Sequence, residues 1–175
     1  IIIQGGTFTG FVNGVQVLQV KMHNELQADG SFGIVSANTV IKVENFKVTD
    51  LTPEESPYAY EAKFSESTEE VAALPEGWVR HPNYKNGTIT QKDGALYFNT
   101  KTASGICAAL YEQSEYSDYL IEADFTMLDR TNDARWMGLA YRTSADEAAV
   151  NMFFIKYNNA VGINAYYSSA ITCYD

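Results

Sequence analysis

At 175 residues, with 46% hydrophobic and 13% aromatic side chains, the chain is long enough for one compact domain with a substantial core, which excludes a disordered segment. Its 12 basic residues against 22 acidic ones give a net charge of −10 without any Lys/Arg cluster, which excludes the basic footprint of a nucleic-acid binder and disfavours docking on anionic membranes. The apolar runs are too short to span a bilayer, and a charged share of 19%, against an ordinary value of about 25%, argues against a long salt-bridged helix.

The chain opens Ile1-Ile2-Ile3 with neither an initiator Met nor a signal peptide, and so reads as a piece of something longer. Residues 7–20, TFTGFVNGVQVLQV, predict a hairpin, because Asn13-Gly14 supplies the two positive-φ positions of a type I′ turn between apolar runs. Strands are expected at 31–36 and 39–49. Residues 51–63 carry Pro53, Pro57, Glu54, Glu55 and Glu61, and are the one credible linker.

Downstream, strands are expected at 86–91, 95–100, 105–111, 118–128, 134–143, 148–157, 160–167 and 170–174, with Lys92-Asp93-Gly94 as a turn. Only the stretch 66–73 has helical composition, enough for one or two turns. Twelve Tyr and nine Phe suit pleated, half-buried surfaces, and many short strands with Gly/Asn turns indicate an all-β sandwich or barrel with little or no helix.

Alternation is clearest in two strands. Ile121, Ala123 and Phe125 should face the core while Leu120, Glu122 and Asp124 face outward; Met137, Leu139 and Tyr141 should likewise oppose Trp136, Gly138, Ala140 and Arg142. Residues 150–157 are apolar on both faces, so parity leaves them open.

GTFTGFVNGVQVLQV followed by GSFGIVSANTVIKVENFKVTDL resembles the closing strands of concanavalin A-like lectin/glucanase jelly rolls. LPEGW, DGALYF, YSDYLIEADF and RWMGLAYRTS resemble the opening and middle strands of the same fold. Relatives of that kind include bacterial carbohydrate-binding modules and family 16 glycoside hydrolases. The resemblance implies a two-sheet antiparallel β-sandwich, but in reversed order: closing strands at 1–50, a linker at 51–63, opening and middle strands at 64–175. Such an order fits a circular permutant or a frame cut out of phase from a tandem array. Residues 1–50 are then expected to complete a sandwich with 64–175, within one chain or by strand exchange in a homodimer, since either piece alone leaves an apolar face bare. The pattern also asks for about one more strand between Asp175 and Ile1 than the chain supplies.

Several constellations could carry chemistry. Glu122-Ala123-Asp124 resembles the start of the carboxylate series of family 16 hydrolases, yet Thr126 and Met127 stand where a third acid would be needed, so solvent-facing acids are the plainer reading. His23 and His81 sit on loop-like stretches without a matching nucleophile and read as surface or turn histidines. Asn86-Gly87-Thr88 matches a glycosylation sequon but reads as a turn. Asp129, Asn132 and Asp133, with Glu44, Asp50 and Glu66 elsewhere, are oxygen donors for a structural calcium of the kind the resemblance implies, or simply acidic turns. Cys107 and Cys173 either pair in an oxidising compartment or remain buried thiols.

The most suggestive set is the Trp136/Gly138/Ala140/Arg142 face, where an aromatic plate and a guanidinium flank two tiny residues in a shallow trough. Asn151, Lys156, Asn164 and Tyr166 on neighbouring strands complete a candidate glycan site. The competing reading has Trp136 capping the core and Arg142 paired with Glu122 or Asp124. The leading expectation is a non-catalytic carbohydrate-binding module of a secreted or cell-surface bacterial protein. A glycoside hydrolase of the same fold and a structural or adhesion spacer are the alternatives, the spacer being favoured if Arg142 salt bridges or loops fill the trough.

Overall fold

A computed structural model describes residues 1–21, 30–51, 59–102, 105–112, 116–143 and 150–156, and the backbone of 161–167 and 170–174. Among these residues all regular structure is β: β1 (Ile2–Gln4), β2 (Thr7–Val12), β3 (Val15–Lys21), β4 (Ser31–Ala37), β5 (Thr39–Asp50), β6 (Ala59–Glu61), β7 (Trp78–Lys85), β8 (Thr88–Lys92), β9 (Ala95–Asn99), β10 (Ile106–Tyr111), β11 (Tyr119–Arg130), β12 (Trp136–Thr143), β13 (Val150–Lys156), β14 (Val161–Tyr167) and β15 (Ala170–Tyr174). They form two antiparallel sheets. Sheet A runs β3-β2-β1-β11-β5-β9-β8, with β6 also on β5; sheet B runs β15-β14-β13-β12-β4-β10-β7. The molecule is an all-β, two-sheet antiparallel sandwich. Among the described residues no helix is long and apolar enough to cross a membrane.

The chain passes from one sheet to the other at a single residue. Asn38, at φ 53°, separates β4 in sheet B from β5 in sheet A. Its side-chain oxygen accepts from the Gly105 N–H at 3.2 Å, and its carbonyl accepts from the Thr131 N–H at 3.2 Å. Beneath it the hydroxyls of Ser36, Thr39 and Thr100 form a buried network, with Ser36 Oγ 2.7 Å from Thr39 Oγ1 and 3.1 Å from Thr100 Oγ1. Buried hydroxyls without partners would destabilise the corner; these are satisfied.

Both strands leaving this corner are central. β4 lies between β10 and β12, and β5 lies between β11 on one side and β9 with β6 on the other. Phe32 and Ile34 of β4 point into the inter-sheet core with Phe46, Val48, Leu96, Phe98, Ile121 and Leu139. Phe32 is an aromatic hub, with ring centroids of Tyr111, Tyr60, Phe46 and Tyr119 5.3, 5.9, 6.0 and 6.2 Å away. The other face of β4, Val35 and Ala37, joins a second buried cluster with Ala108, Leu110, Trp136, Ala140, Val150, Met152 and Phe154. Sheet B is therefore apolar on both faces, and this resolves β13: Phe153 and Ile155 face the inter-sheet core while Met152 and Phe154 face the second cluster.

Three local expectations are corrected. Residues 66–73 hold no helical turn; they lie extended against the β8–β9 hairpin, where Val71 exchanges backbone bonds with Gln91 at 2.9 and 2.8 Å and the Ser65 and Ser67 carbonyls accept from Gly94 and Asp93. Helical composition yields there to backbone pairing that a solvated helix could not match. His81 is no surface histidine but is fully buried on β7, its Nδ1 accepting from the Asn83 N–H at 3.2 Å. The linker segment is partly strand, since β6 pairs with Lys47–Thr49; 52–58 and His23 lie outside the described residues.

The corner gives a direct test. Asn38→Ala should cost about 1–3 kcal/mol in urea unfolding, combining the left-handed backbone penalty with loss of the Gly105 bond. Asn38→Gly should cost less, because glycine accepts the positive φ.

Candidate functional site

The residues expected to line a glycan trough lie on β12, β13 and β14, but the trough is closed. Trp136 is only 8% exposed, with its ring centroid 5.3 Å from that of Phe154. Gly138 is occupied from the side: a Cβ there would lie 2.1 Å from the Phe153 carbonyl oxygen, so this glycine permits close strand approach rather than a binding groove. Lys156, opposite Trp136 in the ladder, places its ammonium 5.5 Å from the centre of the Phe154 ring, a cation–π contact. The backbone ladder sets Asn164 opposite Met152 and Tyr166 opposite Val150; the side chains of both lie outside the described atoms.

Arg142 leaves the face that alternation assigns to it. It sits at φ 43°, where the β12–β4 register shifts between Ala140 and Thr143. Its backbone N–H donates to the Tyr119 hydroxyl at 3.0 Å, and its guanidinium reaches the Ser117 carbonyl at 2.5 Å and Asp118 at 3.7 Å. Asn151, 8% exposed, donates its amide to the Arg142 carbonyl at 2.9 Å. Arg142 and Asn151 thus tie β12 and β13 of sheet B to the segment that enters β11 of sheet A. The salt-bridge partner is Asp118, not Glu122 or Asp124. Burial pushes the Tyr119 phenol well above its ordinary pKa, with the Arg142 backbone bond and charge opposing.

Four of the candidate calcium donors are taken up by cations and backbone. Asp129 pairs with Lys101, which holds its carboxyl below the usual range; Asp133 meets Arg130 at 2.9 Å, and Asn132 accepts from the Ala134 N–H at 3.0 Å. Glu44 pairs with Lys42 at 2.6 Å. Among the described residues no group of three His, Cys, Asp or Glu side chains could hold a metal. Cys107 is a free, buried thiol pushed up to about 11 by desolvation, against the opposing charge of Arg80, and the Cys173 side chain lies outside the described atoms.

A concavity lies elsewhere, in sheet A. β1 pairs with β11 through Ile2–Leu120 and Ile3–Tyr119, and with β2 through Ile2–Thr9, Ile3–Phe8 and Gln4–Thr7. Ile1 and Ile121 exchange two backbone bonds, at 2.6 and 2.8 Å, and β1 stops there. Both neighbours continue past it: β2 through Gly10, Phe11 and Val12, β11 through Glu122 to Arg130. Each of those stretches pairs, among the described strands, on one side only. Between those stretches lies a cleft of about 670 Å³. Leu139, Phe153 and Ile155 of sheet B line its depth; Ala123 and Phe125 form one wall and Phe11 the other, while Glu122, Asp124, Asn45 and Asn13 stand at the rim. Asn45, at φ 50° in a bulge of β5, donates to Asp124 at 2.6 Å. Sequence alternation pointed Ala123 and Phe125 inward, and both pack against the inter-sheet core.

No protein-family model, curated protein or solved structure matches the chain. The class defined by the fold is the antiparallel β-sandwich, and the two features that stand out are the closed trough on sheet B and the cleft beside β11 in sheet A.

Removing the hydroxyl that anchors Arg142, as Tyr119→Phe, should leave a buried N–H unpaired and cost about 1–3 kcal/mol in urea unfolding, with the denaturant slope unchanged.

Proposed function

We propose that this chain is a non-catalytic structural or adhesion module of a secreted or cell-surface multidomain protein, built on a concanavalin A-like sandwich. The observation that carries this reading is the closure of the expected trough: Trp136 is packed against Phe154, and Arg142 is bound to Ser117 and Asp118. A face sealed by its own side chains serves rigidity better than capture of a soluble ligand. The secreted setting rests on the resemblance to surface and secreted sandwich modules and on the acidic, patch-poor composition.

The sugar-binding alternative keeps one foothold, the Phe154–Lys156 pair at the end of β13, where a half-buried ammonium lies over an aromatic ring. The enzyme alternative keeps Glu122 and Asp124, both exposed at the cleft rim.

A glycan array probed with the wild-type chain should remain at background, and β-glucans should stay intact. Glycan binding weakened by Lys156→Ala in a protein that still melts cooperatively would replace the structural reading with the carbohydrate module. Hydrolysis abolished by Glu122→Gln would replace it with the enzyme.

A further inference from the structure

In an Asn-Gly pair the main chain can attack a side chain: the glycine nitrogen and the Asn Cγ close a five-membered ring, and glycine, lacking Cβ, puts nothing in the way. Two such pairs stand in turns of this protein. Asn13-Gly14 joins β2 to β3, and Asn86-Gly87 joins β7 to β8. Their sequence chemistry is the same, so a difference in reactivity between them is set by the fold.

At Asn13-Gly14 nothing opposes ring closure beyond the turn itself. Both residues are exposed, at φ 50° and 75°, and apart from its chain neighbours Gly14 has no atom within 4 Å of the place a Cβ would take. The ladder ends at the Val12–Val15 pair, so both lie beyond its last rung. At Asn86-Gly87 the same atoms are clamped. The Asn86 N–H donates to the Ile106 carbonyl at 3.2 Å, and a Cβ on Gly105 would lie 2.1 Å from Asn86 Nδ2, so the amide is pressed against that backbone. A Cβ on Gly87 would lie 2.3 Å from the Asn99 carbonyl oxygen, and the Gly87 carbonyl accepts from Arg80 Nη1 at 3.1 Å. Swinging the Gly87 nitrogen onto Asn86 Cγ requires a local opening that breaks these contacts.

We infer that Asn13 is a modification site of the folded protein, deamidating spontaneously to aspartate and isoaspartate, while the fold protects Asn86. The Gly14 nitrogen forms a bond to Asn13 Cγ, and the Cγ–Nδ2 bond breaks. The proton lost from the Gly14 nitrogen leaves, by way of solvent, on the departing ammonia. Water then opens the succinimide: cleavage at Cγ gives aspartate, and cleavage at the main-chain carbonyl gives isoaspartate, with the chain running on through Cβ and Cγ. No oxidant or reductant is needed. Either product adds a negative charge at the tip of the hairpin. Isoaspartate also lengthens the main chain inside a turn whose backbone twist has to match that of its strands, which loosens the β2–β3 ladder from the Val12–Val15 rung inward.

The test incubates the full 175-residue chain in mildly alkaline buffer, folded and, in a parallel sample, unfolded in guanidinium chloride. Trypsin leaves Asn13 in the peptide 1–21 and Asn86 in the peptide 86–92, and mass spectrometry of the two reads the amide-to-acid conversion of each. In the unfolded chain both should convert at similar rates. In the folded protein Asn13 should convert about tenfold faster than Asn86, or more. Equal conversion of the two when folded, faster conversion of Asn86, or an Asn13 that stays intact while the unfolded chain converts would overturn the proposal. So would the same preference in the unfolded chain, which would place its cause in the sequence. The isoaspartate form, separated by chromatography, should exchange its Val12 and Val15 amide hydrogens about tenfold faster than the Asn13→Asp variant, which carries the same charge on an unaltered backbone. Equal exchange in the two would overturn the loosening of the hairpin.

Discussion

Everything in this sandwich hangs on one corner. Residues 31–50 form an interior strand of sheet B, turn at Asn38, and continue as an interior strand of sheet A. A strand pair that changes sheets within a single residue ties the two layers together at that point. The hydroxyl network of Ser36, Thr39 and Thr100 gives that corner its polar satisfaction, and Thr100 brings the end of β9 to the same point. The Phe32 hub lies at the other end of β4, so this one strand links the crossing point to the aromatic centre of the core.

How far these features were legible in the sequence depends on the range of the interaction responsible. The Asn13-Gly14 turn is local: positive φ at two successive positions is a demand that few residue pairs meet, and both are found there, at 50° and 75°. Inward Ile121 and outward Glu122 follow from the period of β11, which is equally local. Arg142 is the instructive departure. Alternation put it beside Trp136, but its positive φ and the register shift against β4 turn it toward Tyr119 and Ser117, partners more than twenty residues distant. A bulge obeys the strands it pairs with, and period counting has no access to them.

Burial of the second face of sheet B lies beyond sequence reading for a related reason. Trp136, Gly138 and Ala140 do share a face, as their spacing requires, and the same spacing would describe an exposed platform or a sealed layer equally well. What separates the two is tertiary: Phe154 from β13, Val35 from β4 and Leu110 from β10 converge on that face. The continuous apolar run of 150–155 hinted at it, since a strand apolar on both sides is suited to a sheet covered on both sides.

Among the described residues, the β2–β3 ribbon joins the rest of sheet A by its ladder to β1, while Phe8, Val12, Leu18 and Val20 hold its inner face on the core. A two-stranded ribbon has little independent stability, so its order depends on those side chains as much as on the ladder.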